Sequence, residues 1–371
     1  MARAPALQAG GRRFDSDYLH QSSPHRRGFF LLIYTNAETM KSVFFSLAVL
    51  FSALQLHAQK PILRFNEDGQ FKIAQFTDMH ISVDRSDYCN EQAEKTFARL
   101  SRVANHEKPD FIVFTGDIVT RGNSGKGWQR LLDSLNTYKI PFCVVFGNHD
   151  PEPGLTREEM SQLISSSPYS VNQLNSAGQL ADIDLDVLFS KGNNPAMALY
   201  CMDSNDYSYN KSWGKYAWFS TEQIQWLRNS CVNKTQANGG KVLNSLAFFH
   251  ICLVEYTAAI ENPKNQRVGR KAENECPGAL NTGMFAAMVE TGNIMGVFVG
   301  HDHDNDYVVV EKGVALGYGR FSGDDTTYNN LRPGVRLIVA QEGQRNFDSW
   351  ILEDDGRVVH KLKYRNGKFE K

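Results

Sequence analysis

The chain has 371 residues, 42% of them hydrophobic, which is enough for a sizeable buried core and excludes a disordered or fibrous protein. Forty Lys and Arg against forty-one Asp and Glu leave a net charge of −1, so no global basic field gathers nucleic acid or an anionic membrane, and an anionic ligand must be held locally. Six cysteines without a Cys-x-x-Cys pair are too few for a disulfide scaffold and lack the spacing of a zinc ribbon or a redox motif.

Residues 1–39 carry Arg12, Arg13, Arg26 and Arg27 among scattered Ser and Gly with no sustained period, and are expected to be non-structural sequence upstream of a natural start at Met40. An Arg-rich organelle leader is the rival reading, disfavoured by Asp15, Asp17 and Glu38. Met40-Lys41 opens an apolar run from Ser42 to Leu56 (SVFFSLAVLFSALQL), followed by the small residue Ala58 and a polar start at Gln59-Lys60. This pattern predicts a signal peptide over 40–58, shorter than the roughly 20 residues of a membrane span. The expectation is an exported protein, periplasmic or secreted, with no stable membrane span after cleavage; an uncleaved anchor is the alternative. Residues 60–371 show no internal repeat or low-complexity linker and are expected to form one domain.

From Lys60 onward short β-rich runs alternate with longer helix-patterned runs, the rhythm of an α/β domain. Phe71 to Thr77 (FKIAQFT), Phe111 to Thr115 (FIVFT), Phe142 to Phe146 (FCVVF), Leu246 to Phe249 (LAFF) and Ile294 to Val299 (IMGVFV) are apolar runs of buried-strand length. Each is followed by metal-binding residue types: Asp78-Met79-His80, Gly116-Asp117, Gly147-Asn148-His149-Asp150, His250, and Gly300-His301-Asp302-His303. In open α/β sheets the ligand crevice lies beyond the carboxyl ends of the strands, so parallel strands would bring these endings to one place. Gly116, Gly147 and Gly300 permit the sharp exit and close approach that such a crevice needs. Seven histidines follow residue 59, and five of them, His80, His149, His250, His301 and His303, sit in these endings; His106 and His360 read as surface residues.

Between the strands, 90–105, 126–135, 221–229 and 282–290 pattern as amphipathic helices, the third entered through a Ser220-Thr221-Glu222-Gln223 capping box. Residues 172–194 read as loop with short strands, and Gly334 to Ala340 and Phe347 to Tyr364 alternate like strands of a sheet edge. Tyr207, Tyr209, Trp213, Tyr216 and Trp218 form a cluster expected to pack, with a share in the substrate mouth as the alternative. Asp302, Asp304 and Asp306 lack the Gly and Glu of a calcium loop and read as surface or supporting acids. Arg320 or Arg336 could clamp a phosphate or form a structural salt bridge. Asp78 and Asp117 alone could be helix caps, and His250 alone a core histidine; it is the ordered set that points to a site. Cys252 reads as packing, and no disulfide pairing is favoured.

Taken in order, D-x-H, G-D, G-N-H-D, H and G-H-x-H resemble the calcineurin-like metallophosphoesterases, over about Lys72 to His303. Phe248 to Tyr256 (FFHICLVEY), Asn281 to Glu290 (NTGMFAAMVE) and Gly300 to Asp306 (GHDHDND) resemble the branch related to plant purple-acid-phosphatase-like proteins and their bacterial relatives. The resemblance implies a four-layer α/β/β/α sandwich, the metallo-dependent phosphatase fold, with two divalent or transition metal ions. Asp78, His80, Asp117 and His303 would bind one ion, and Asp117, Asn148, His250 and His301 the other, with Asp117 bridging. Such ligands suit Mn, Zn, Fe or Ni without choosing among them. Thr120 stands where purple acid phosphatases carry the tyrosine that colours their ferric iron, so no purple centre is expected. His80 stands where their first block usually has glycine.

Two cations roughly 3.5 to 4 Å apart neutralise a phosphate ester and bring shared water toward hydroxide, which would attack phosphorus in line. His149 would protonate the leaving alkoxide as general acid, with Asp150 orienting its ring. The expected activity is hydrolysis of a small-molecule phosphomonoester. The alternatives are a phosphodiesterase or nucleotidase on the same metals, or a catalytically silent metal-binding protein. No nucleic-acid partner beyond a nucleotide substrate is expected, because no basic patch with interleaved aromatics is present.

Overall fold

The computed structural model describes residues 60–370 apart from 153, 326, 327 and 329, so the expected extension over 1–39 and signal peptide over 40–58 lie outside the described residues. Within them, one sheet has seven strands in the order β17 (Lys368–Phe369), β16 (Val358–Arg365), β15 (Asn346–Glu353), β14 (Gly334–Gln341), β2 (Gln70–Phe76), β4 (Phe111–Thr115) and β6 (Phe142–Val145). A second has eight, in the order β1 (Leu63–Arg64), β7 (Ile183–Leu188), β8 (Pro195–Cys201), β9 (Ser245–Phe248), β11 (Ile294–Val299), β13 (Val314–Tyr318), β12 (Val308–Glu311) and β10 (Arg267–Val268). A short ribbon pairs β3 (Ile81–Val83) with β5 (Val119–Gly122).

Alternation along the strands explains the layers. Phe71 and Ile73 of β2, and Phe111 and Val113 of β4, enter a core shared by the two sheets, while Ala74, Phe76, Ile112 and Phe114 face a core shared with helices. In β9, Leu246 and Phe248 enter the inter-sheet core and Ala247 faces the other set of helices. A period of two with both faces apolar is what a strand buried on both sides requires. Helices α1 (Asp87–Arg102), α2 (Ser124–Tyr138) and α3 (Arg157–Ser166) cover the outer face of the seven-stranded sheet through Leu100, Leu131 and Ile164. Helices α4 (Thr221–Ala237), α5 (Glu255–Glu261) and α6 (Met284–Thr291) cover the eight-stranded sheet through Leu227, Tyr256 and Met288. The result is the expected α/β/β/α sandwich. Among the described residues no helix is long and apolar enough to cross a membrane.

The capping box of α4 forms as read, with Ser220 Oγ accepting from Gln223 N at 3.2 Å and Gln223 Oε1 from Ser220 N at 3.0 Å. The helix runs well past the expected end at 229, because Ser230 and Cys231 are still buried there. Strands β2, β4 and β6 pair in parallel, as do β8, β9, β11 and β13, so within each sheet their carboxyl ends share one edge. The two edges meet where Gln75 Nε2 donates to Val299 O at 3.0 Å and Thr77 bridges in parallel to Phe321.

Candidate metal centre

The strand endings leave through unusual backbone. Asp78, His80, Asp117 and His301 hold φ of 49°, 44°, 53° and 78°, in the left-handed region that residues with a Cβ avoid. Strain of this kind persists only where surrounding structure enforces it, and it gathers at functional sites. Close approach accounts for the glycines: a Cβ on Gly116 would overlap the His250 ring, and one on Gly300 would overlap Thr77 Oγ1 and Asp78 Oδ2.

Two clusters of ligand atoms result. Those of Asp78, His80, Asp117 and His303 lie within 4.8 Å of one another, and so do those of Asp117, His250 and His301. Asp117 belongs to both: its Oδ2 lies 3.2 Å from His250 Nε2 and 3.9 Å from His80 Nε2. Asp78 Oδ1 lies 3.2 Å from His303 Nε2. The Nε2 atoms of His80 and His303 face each other at 3.2 Å, and His250 Nε2 faces His301 Nδ1 at 3.3 Å. His250 spends its Nδ1–H on Thr115 O at 2.7 Å, and His80 Nδ1 meets Thr120 Oγ1 at 3.2 Å. The remaining nitrogens therefore converge on each other and on carboxylate oxygens, an arrangement that a cation resolves. Asn148 adds a buried Oδ1 with no hydrogen-bond partner among the described residues, while its Nδ2 donates to Tyr207 Oη at 3.1 Å.

Burial, reinforced by the charge of His303, lowers the His80 pKa to about 3, and burial with His250 does the same to His301, so both rings are neutral. Burial opposes charge on His250, but the Asp117 carboxylate outweighs it and raises that ring to about 10. Asp117 and Asp78 are themselves held below the usual carboxylate range by their imidazole neighbours, against the effect of burial. The centre opens into a cavity of 180 Å³ lined by His149, Arg121, Lys215, Tyr216, Glu273 and Tyr328 among others.

Asp150 corrects the sequence reading, because it does not orient His149. Its buried carboxylate accepts backbone N–H groups from Gly147 at 2.7 Å, Asp117 at 2.9 Å, Ile118 at 2.7 Å and Val119 at 3.2 Å, tying two strand endings together. Adjacent side chains in a tight turn point apart, and the partner of His149 Nδ1 is instead Glu152 Oε1 at 2.8 Å. Asp302, Asp304 and Asp306 are buried rather than surface acids. Asp302 Oδ2 accepts from Tyr318 Oη at 2.6 Å, and Asp306 pairs with Arg320, which also reaches Glu353 at 3.1 Å. His360, read as a surface residue, lies 3.5 Å from that same Asp306. Arg336 donates to Tyr318 O at 2.7 Å and Asp306 O at 2.6 Å, so both arginines brace the interior and neither clamps a phosphate. All six cysteines are free.

Of the aromatic cluster, Tyr216 stands edge-on to His301 with centroids 4.4 Å apart and Tyr207 lies 6.2 Å from His149, whereas Tyr209, Trp213 and Trp218 pack on one another. Sequence reasoning missed Arg121, Lys215, Glu273, Tyr328 and Glu152. Only Arg121, four residues after Asp117, and Glu152, three after His149, lie close enough in sequence to have been found by inspection of the blocks.

The fold and this cluster define a metallophosphoesterase, and the chain belongs to the calcineurin-like phosphoesterases, whose family model matches residues 71–305. It stands in the purple-acid-phosphatase-related branch. "Probable inactive purple acid phosphatase 29" of Arabidopsis thaliana is 33% identical over 311 residues, covering 75% of this chain and 78% of its own length. "Probable inactive purple acid phosphatase 14" of the same plant is 30% identical over 340 residues, covering 82% of this chain and 83% of its own. "Phosphatase DCR2" of Saccharomyces cerevisiae is 27% identical over 319 residues, 78% of this chain and 54% of its own. A crystal structure of a dimetal phosphatase from Danio rerio matches with a TM-score of 0.50 at 14% identity, over 80% of this chain and 99% of that one, a likeness of fold. Family and ligand clusters together support divalent metal ions and a phosphoesterase.

Proposed function

We propose that the chain is a dinuclear metal-dependent phosphomonoesterase acting on a small-molecule phosphate ester. The observation that carries this reading is Asp117, shared by both ligand clusters, beside a buried Asn148 Oδ1 without a hydrogen-bond partner among the described residues. Asp78, His80, Asp117 and His303 would hold one ion, and Asp117, Asn148, His250 and His301 the other. Bound there, two such ions supply Lewis acidity that neutralises the ester oxygens and acidifies water. The chain supplies placement. Thr115 and Thr120 fix the His250 and His80 rings, and His149, half-exposed with its ring 5.9 Å from that of His80, is placed to give a proton to the leaving oxygen. A small cavity with Arg121 and Lys215 in its lining favours a dianionic monoester over a bulkier monoanionic diester. The apolar run Ser42 to Leu56 supports export to the periplasm or beyond.

The relatives named as inactive motivate the second reading, a silent metal-binding protein. Loss of a ligand or of the proton donor would favour it, and this chain keeps every one of these residues. Metal analysis of purified protein should find two ions per chain, and phosphate release from p-nitrophenyl phosphate should exceed turnover of bis(p-nitrophenyl) phosphate. Faster diester turnover would replace the monoesterase with a phosphodiesterase, and metal-loaded protein idle on both would favour the silent reading. His149→Ala should keep its metals and lose about 100-fold or more of alkyl-phosphate turnover; undiminished turnover would remove His149 from the mechanism.

A further inference from the structure

We propose that Glu152 is the positioning residue of the proton donor His149, and that Tyr207 links Glu152 to Asn148 so that donor and ligand are aligned as one unit. The geometry stands by itself; its kinetic consequence rests on the phosphatase reading above.

Asp117 is bound to the ligand cluster and takes only the His149 backbone N–H, at 2.8 Å on Oδ1. Asp150 is committed to four backbone N–H groups. Residue 120, in the neighbouring block, is a threonine, and its hydroxyl serves His80. Glu152 is the carboxylate that reaches the ring, with Oε1 2.8 Å from Nδ1. An ionised carboxylate only accepts, so this contact places a proton on Nδ1 and leaves Nε2 as the atom that exchanges the other.

Glu152 and His149 are both partly exposed, with side chains 46% and 36% accessible, so the pair alone would hold its orientation weakly. Tyr207 supplies the restraint. Its hydroxyl donates to the same Glu152 Oε1 at 3.3 Å and accepts from Asn148 Nδ2 at 3.1 Å. Its ring stacks on Tyr216 at 5.9 Å and meets His149 edge-on at 6.2 Å. The Asn148 bond has a second effect: an amide whose NH2 is held by Tyr207 must turn its Oδ1 the other way, and that oxygen is the atom left unpartnered among the described residues. One tyrosine thus sets both the amide and the carboxylate.

In the reaction, a water oxygen bonds to phosphorus as its proton passes to solvent, the bond from phosphorus to the leaving oxygen breaks with its electron pair on that oxygen, and the Nε2 proton of the imidazolium moves to it. The ring is left neutral, with its Nδ1 proton still donated to Glu152. Poor leaving groups depend on this transfer far more than p-nitrophenolate does.

The test uses Glu152→Gln, Glu152→Asp and Tyr207→Phe in the metal-loaded full chain. The readouts are metal content, the ratio of alkyl-phosphate to p-nitrophenyl-phosphate turnover, and the downfield Nδ1 proton resonance assigned by its loss in His149→Ala. Glu152→Gln should keep both metals, lose the resonance and lower the ratio by about tenfold or more, with Glu152→Asp recovering part of it. Tyr207→Phe should lower the ratio and also weaken metal retention. An unchanged ratio and resonance in Glu152→Gln would overturn the proposal. Wild-type protein that holds two metals but hydrolyses neither ester would sink the phosphatase reading alone, because the resonance still decides the Glu152 pairing.

Discussion

Asp117 shows how much one side chain is asked to do. Oδ1 is taken by the His149 backbone N–H, which leaves Oδ2 to face His250 and His80 together. Asp182, outside the ligand clusters, carries a different consequence of burial. It accepts from Asp203 N at 2.7 Å and Gln223 Nε2 at 2.9 Å, yet burial raises its pKa from 3.8 to about 6. The folded state thus binds this proton more tightly than the unfolded chain, so the contribution to stability is complete below about pH 4 and is lost as pH rises through about 6. A shift of this size corresponds to about 2 to 3 kcal/mol. Urea unfolding of wild type and Asp182→Asn at pH 4 and pH 7 should show wild type losing more stability than the variant over that interval; parallel losses would refute it.

Among the elements, the strand endings tolerate least. Gly300 follows β11 where a methyl group would meet Thr77 and Asp78, so Gly300→Ala should cost about 1 to 3 kcal/mol and reduce metal content, read by thermal melting and metal analysis. Arg320 lies between β13 and β14 and pairs with Asp306 and Glu353, all three buried. Arg320→Met removes the guanidinium partner of the buried Asp306, while Glu353 keeps Arg357 at 2.8 Å, and should cost about 3 to 5 kcal/mol in a denaturant melt. The cores of β2, β4, β6, β9 and β11 were legible in the sequence, because doubly buried strands are continuous apolar runs. The end of α4 was not, since a helix continues as far as neighbouring surfaces bury it, and those surfaces belong to other segments. The paired arginines were not legible either: nothing local distinguishes a guanidinium that meets a buried acid from one that meets a phosphate.

For the whole molecule, metal binding and folding should be linked. Ligand atoms from four strand endings are held close with carboxylates and imidazoles in opposition, and an ion that binds only this folded arrangement adds about 2.7 kcal/mol at a hundredfold excess over its Kd. Chelation should therefore lower the melting temperature and added Mn or Zn restore it; a melting temperature indifferent to both would argue that the clusters hold no ion. The sequence by itself marked Asp78, His80, Asp117, His250, His301 and His303, whose ligand atoms cluster, because ligand types directly after apolar strands are a local pattern and parallel strands deliver their ends to one edge. Only the tertiary structure decided their partners. That Glu152, not Asp150, holds His149, that Asp302 and Asp306 lie inside, and that Tyr207 and Tyr216 reach the site depend on where left-handed backbone turns each side chain. They depend equally on which distant loop packs beside it, and neither leaves a periodic trace in the chain.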